Sequence, residues 1–181
     1  MVAEEPRDFE SWNNLGNVRA ALGDSDGAIL AFRHALGLRR DIVPMYINFS
    51  EVLAAADRQV ERQAVMREAA RIAPANAEVQ TELGLAEAAA RDHAAAEQAF
   101  REAIRLSSGF TPAFLELALL LENLNRVDDL DALLAEAEAR SAGGAEIAFV
   151  KAWSLRRQGR FEDALQIAET IPTSINPIRR L

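Results

Sequence analysis

The residues of this chain that could do covalent chemistry are few and badly spaced for it. Two histidines, His34 and His93, stand 59 residues apart, and both are expected at the surface. Neither has a second ligand-type residue at metal-binding spacing, so a zinc site or a paired acid–base imidazole is not indicated. There is no cysteine, which removes disulfides, thiol nucleophiles and thiolate metal ligands. Ser11, Ser50 and Ser141 have no histidine placed to activate them. The run Asp128-Asp129-Leu130-Asp131 opens a helix, where negative charge complements the N-terminal dipole. No glycine loop of the phosphate-cradling or dinucleotide type occurs. The sequence therefore predicts no catalytic residue, no metal and no cofactor, and the chain is expected not to be an enzyme. The chemistry that remains is non-covalent recognition by amides, carboxylates, a few aromatics and a few arginines.

The bulk composition predicts that these groups sit on helices. Half of the 181 residues are hydrophobic, 27% are charged and only 6% are aromatic. Abundant Ala, Leu, Glu and Arg lose little side-chain freedom in a helix. No apolar run reaches the roughly 18 residues of a membrane span. The start, Met1-Val2-Ala3-Glu4-Glu5-Pro6, is acidic and lacks the pattern of a secretion signal. A cytoplasmic protein without membrane contact is expected. The net charge is −8, and acids outnumber bases up to residue 144, which argues against nucleic acid. Only from Ala145 onward do bases prevail, with Lys151, Arg156, Arg157, Arg160, Arg179 and Arg180.

A repeat of 34 residues organises the chain, in blocks starting at Phe9, Val43, Ala77, Thr111 and Ala145. Position 7 holds Leu15, Phe49, Leu83 and Leu117, then Lys151. Position 8 is always small: Gly16, Ser50, Gly84, Ala118 and Ala152. Position 20 holds Ala28, Arg62, Ala96, Leu130 and Ala164, and position 24 holds Phe32, Met66, Phe100, Leu134 and Ala168. Position 27 holds Ala35, Ala69, Ala103, Ala137 and Ile171. Paired helices explain this pattern. Small residues at 8, 20 and 27 let two axes cross closely, and bulky ones at 7 and 24 fill the space between them.

This pattern resembles the tetratricopeptide repeat (TPR) family. Block one carries Trp12, Leu15, Gly16, Gly23, Ala28, Phe32 and Ala35; block two carries Tyr46, Phe49, Ser50, Ala69 and Pro74. Block three carries Leu83, Gly84, Ala96, Phe100 and Ala103, and block four Phe114, Leu117, Ala118 and Ala137. Block five carries Ala152, Leu155, Gly159, Phe161 and Ala164. Arg62 at a small position and Lys151 at an apolar one depart from the motif. The resemblance implies an all-α, TPR-type α-solenoid, a right-handed superhelix of about five antiparallel helix pairs. The expected layout is a polar lead at 1–8, repeats at 9–42, 43–76, 77–110 and 111–144, a fifth with a short second helix at 145–172, and a tail at 173–181. First helices are expected at 9–22, 43–56, 77–90, 111–124 and 145–158. Second helices are expected at 25–38, 59–72, 93–106, 127–140 and 161–170, with stops at Gly23-Asp24-Ser25-Asp26, Gln158-Gly159-Arg160, Ala73-Pro74-Ala75-Asn76, Ser107-Ser108-Gly109 and Ala142-Gly143-Gly144.

In this family the first helices line a concave groove that binds peptides, so the resemblance implies a protein-interaction scaffold. Carried onto this sequence, the groove has a polar half (Asn13, Asn17, Asn48, Glu51, Glu78 and Glu82) and a second half with Leu115, Leu119, Phe149, Trp153 and Arg156. Family members that clamp the acidic C-terminal tails of chaperones use three cations and two asparagines. The matched positions here are Asn13, Asn17, Asn48, Glu78 and Glu82, so the amides remain and the cations do not. An acidic tail is expected to be repelled, and a neutral or basic peptide accepted.

The ends leave two further readings. Ile171, Ile175, Ile178 and Leu181 need burial, and the chain stops on Arg179-Arg180-Leu181, as a fragment of a longer protein would. One alternative is therefore the substrate-recruiting repeat domain of a larger bacterial transferase, such as a TPR–sulfotransferase fusion. The other is an array that self-associates through its C-terminal repeat.

Overall fold

The computed structural model describes residues 8–107, 111–140 and 144–171. Among them are ten helices and no strand, so the fold is all-α. In chain order these are α1 (Phe9–Ala21), α2 (Ser25–Leu38), α3 (Val43–Ala55), α4 (Gln59–Ile72), α5 (Ala77–Ala89), α6 (His93–Leu106), α7 (Thr111–Asn123), α8 (Val127–Ala139), α9 (Gly144–Arg157) and α10 (Phe161–Thr170). Their ends fall within one residue of the expected spans. Residues 1–7, Ser108 to Phe110, Ser141 to Gly143 and the tail from Pro172, with Ile175, Ile178 and Leu181, lie outside the described residues. No helix among those described is long and apolar enough to cross a membrane.

The chain divides into two compact units, Met1–Asp92 and His93–Leu181. In the first, α1 packs on α2 and α3, α3 on α4 and α5, and α2 and α4 each also touch the following odd-numbered helix. In the second, α7 packs on α6, α8 and α9, and α9 on α8 and α10. Within each unit the odd-numbered helices thus lie side by side in one layer.

The small positions do what their size requires. A Cβ added at Gly16 would lie 2.9 Å from Cε2 of Phe32, so glycine is what lets α1 and α2 approach. Phe32 is fully buried and stacks on Phe49 with ring centroids 5.6 Å apart. Phe100, Phe114, Met66, Leu117 and Leu134 fill the corresponding spaces and are also fully or almost fully buried.

Every first helix ends in the same way. Gly23, Asp57, Arg91, Asn125 and Gly159, all at position 15 of their blocks, have positive φ. In each case the next N–H bonds back across the last turn: Asp24 to Arg19, Arg58 to Leu53, Asp92 to Glu87, Arg126 to Leu121 and Arg160 to Leu155, at 2.8 to 2.9 Å. This is the Schellman arrangement, which satisfies carbonyls that the helix end would orphan. It explains why the helices stop before position 14. Three of the five left-handed residues are not glycine; Asp57 and Asn125 belong to types that tolerate the conformation, whereas Arg91 does not announce it.

The two departures from the repeat pattern are compensated by other polar residues. Arg62 crosses from α4 to donate through Nε to Ser50 Oγ at 3.1 Å, and its guanidinium lies 3.5 Å from Glu82. The serine at position 8 and the arginine at position 20 are thus two halves of one substitution. Lys151 reaches Glu138 Oε1 at 2.6 Å instead of entering the core.

Candidate functional site

In the first unit, the layer formed by α1, α3 and α5 carries Asn13, Asn17, Asn48, Glu51, Glu78 and Glu82. Asn17, Glu51 and Glu78 are exposed, and Asn13, Asn48 and Glu82 are half-buried. The Asn13 Oδ1 atom is buried without a hydrogen-bond partner among the described residues. A buried acceptor in that state costs free energy until something donates to it. Glu51 and Glu78 make no side-chain ion pair among the described residues, whereas Glu82 has Arg62.

Glu82 registers the field of this face. Burial raises its carboxyl above the ordinary 4.5, Arg62 opposes the rise, and Glu51 and Glu78 reinforce it. Folding therefore favours the protonated form. That contribution is complete below the unfolded value of 4.5 and is lost as pH rises through the higher folded value. Glu82→Gln is neutral at every pH. It is expected to melt higher than the wild type near pH 7, with the gap closing below about pH 4. Scanning calorimetry at both pH values checks this, and an unchanged gap would contradict the assignment.

In the second unit, α7 and α9 carry Leu115, Leu119, Phe149, Trp153 and Arg156. Leu119 is 43% exposed, Arg156 is exposed, and Leu115, Phe149 and Trp153 are half-buried. The Arg157 guanidinium lies 5.4 Å from the centre of the Trp153 ring and donates to Glu122 Oε1 at 2.6 Å. Glu122 is buried, so the arginine neutralises a desolvated carboxylate while covering one side of the indole. Whether the tail packs over Trp153 concerns residues outside those described.

Other polar groups prove structural. Ser11 bonds the Asp8 carboxylate through both its N–H and its hydroxyl, at 2.7 and 2.9 Å, which closes the start of α1. His34 is exposed and stacks on Trp12 at 4.4 Å with planes 17° apart, a contact between α1 and α2 that the sequence concealed. His93, against the expectation of a surface residue, is half-buried at the first position of α6, with Nδ1 lacking a partner among the described residues. Asp129 in the first turn of α8 pairs with Arg126 at 2.7 Å. Among the described residues, no three His, Cys, Asp or Glu side chains gather as metal ligands. An open depression of about 510 Å³ lies between α2 and α4, around Arg33, Leu36, Tyr46, Val65 and Glu68. It contains none of the candidate residues of the odd-numbered layer.

Comparison with known proteins supplies a family. A model of the tetratricopeptide repeat matches residues 9–42, and a second model of that repeat matches residues 53–109. No curated protein matches the sequence. Among solved structures, MamA protein is 17% identical with a TM-score of 0.73, over 90% of this chain and 88% of that one. YrrB, described as a TPR protein with an unusual peptide-binding site, is 18% identical with a TM-score of 0.64, over 90% and 84%. A thermophilic TPR protein from Thermus thermophilus is 20% identical with a TM-score of 0.67, over 95% and 96%. At such identities these likenesses establish fold and leave ligands open.

Proposed function

The chain belongs to the tetratricopeptide repeat family, and from that premise we propose that it is a non-catalytic protein-interaction scaffold whose odd-numbered helices in the first unit hold a neutral or basic peptide segment. Family membership and a TPR neighbour with a peptide-binding site support the general role. One observation carries the choice of partner. Glu51 and Glu78 stand without ion pairs among the described residues on the face where Glu82 is held above its ordinary pKa. An excess of negative charge there attracts cations and repels carboxylates. The amides of Asn13, Asn17 and Asn48 supply the donors and acceptors that an extended backbone needs. In the second unit, Leu115, Leu119, Phe149 and Trp153 offer apolar contact, with Arg156 at the edge.

The test is a titration with two labelled peptides of equal length, one lysine-containing and one acidic with a free C-terminal carboxylate. The basic peptide is expected to bind, and Glu51→Gln with Glu78→Gln to weaken it about tenfold or more. Asn17→Ala, at an exposed position, is expected to reduce binding further without changing the melting temperature. Micromolar affinity for the acidic peptide, or indifference of the basic one to the Glu51 and Glu78 substitutions, would reject this reading.

A further inference from the structure

We infer that a second copy of this chain stacks on it end to end, the outer face of α10 in one copy seating on the outer face of α1 in the next. Successive repeats inside the chain meet in a common register. Position 21 of a second helix faces positions 10 and 14 of the following first helix. In the first unit, Ile29 (position 21) shares one apolar cluster with Val52 and Ala56 (positions 10 and 14). In the second unit, Gln158 at position 14 reaches Asp131 at position 21, 3.4 Å away. Val127, at position 17, lines one small cavity together with Ser154 and Gln158.

Both halves of that junction are uncovered on α1 and α10. Position 10 is buried in every later block, by Val52, Ala86, Leu120 and Ser154, whereas Val18 in α1 is 56% exposed. Leu22, at position 14 of the first block, is 79% exposed. On α10, Phe161 at position 17 and Leu165 at position 21 are 67% and 63% exposed. At the positions that face 10 and 14 inside the chain, 17 and 21, earlier blocks carry at most one apolar residue, whereas α10 carries two, Phe161 and Leu165, and α1 carries the apolar counterparts Val18 and Leu22. Single exposed apolar residues are ordinary, but two complementary pairs at matching repeat positions are not.

Charge agrees with the register. Between α4 and α5, Arg67 at position 25 binds Glu87 at position 11, at 2.7 Å. Across the proposed contact, Glu169 at position 25 would face Arg19 at position 11, the same pair with its signs exchanged. Ser11 is polar where later blocks bury Met45, Val79, Ala113 and Ile147, which confines the apolar contact to the second half of α1.

Such a contact is heterologous: each copy uses a different face, so growth continues unless a ring closes. The test is light scattering of the full chain across concentrations, with Val18→Asp and Leu165→Asp, each made separately. Both sites are exposed, so both variants should melt like the wild type. The wild type is expected to gain mass with concentration, and each variant to remain monomeric, with association about 30-fold weaker or less measurable. The equimolar mixture of the two variants is expected to form a dimer, because each retains the face that the other has lost. Glu169→Arg should weaken wild-type association about threefold. A wild type monomeric at all concentrations overturns the inference. So does a Val18→Asp variant that still self-associates, or a mixture that stays monomeric. The variants leave Glu51, Glu78 and the Asn17 amide untouched, so failure here leaves the peptide-binding reading standing.

Discussion

Phe32→Ala is expected to destabilise the first unit by about 3–5 kcal/mol. The ring is wholly buried, stacks on Phe49, and fills the space that Gly16 leaves by having no side chain. Removing it opens a cavity that the backbone of α1 cannot collapse into without breaking its contacts with α3. In stacked-repeat folds each element answers mainly to its neighbours, so the loss should be local. Hydrogen exchange should accelerate in α1 to α3 and change little in α8 to α10. A cost below about 1 kcal/mol, or uniform acceleration, would show that position 24 does not hold its repeat together.

Arg67→Ala is expected to cost about 2–3 kcal/mol, through the carboxylate it leaves behind more than through the arginine itself. Glu87 is 2% exposed, and its oxygens accept from Arg67 Nε at 2.7 Å, Arg67 Nη2 at 2.9 Å and Gln63 Nε2 at 2.7 Å. Arg67 is about half exposed, so solvent screens its own charge, and the figure is set below that for a fully buried pair. The control is the double change Arg67→Leu with Glu87→Leu, expected to lie near the wild type because no charge is then stranded. Urea melts of the three proteins decide it. A single variant as stable as the double would mean that Glu87 is served by water.

Both predictions concern groups whose importance was unequally visible in the sequence. Phe32 sits at a bulky position of a 34-residue period, so its burial was legible. Glu87 occupies no recurrent position, and only the approach of α4 to α5 shows that it is buried and bound. The same division runs through the helix ends. Gly23 and Gly159 advertise a left-handed residue, Asn125 and Asp57 do so weakly, and Arg91 does not. The one signal that could have found them is that all five share position 15.

The candidate site divides similarly. That Asn13, Asn17, Asn48, Glu51, Glu78 and Glu82 fall on first helices followed from spacing. That Glu82 is drawn into a bond with Arg62, and that Glu51 and Glu78 are left without ion pairs among the described residues, did not. In the second unit, the pattern placed Trp153 and Arg157 on one helix, and the structure added Glu122 as the acid that holds the arginine over the ring.

Alone, the sequence determined the number of helices, their limits to within a residue and which positions would be crowded. Steric volume repeats at fixed intervals along the chain and can be read there directly. Only the tertiary structure decided which charges cancel, which acceptors stay unmet and which apolar pairs are exposed on α1 and α10. Those outcomes depend on side chains far apart in sequence coming within a few ångströms, as Arg62 and Glu82 do, and no period in the sequence records that distance.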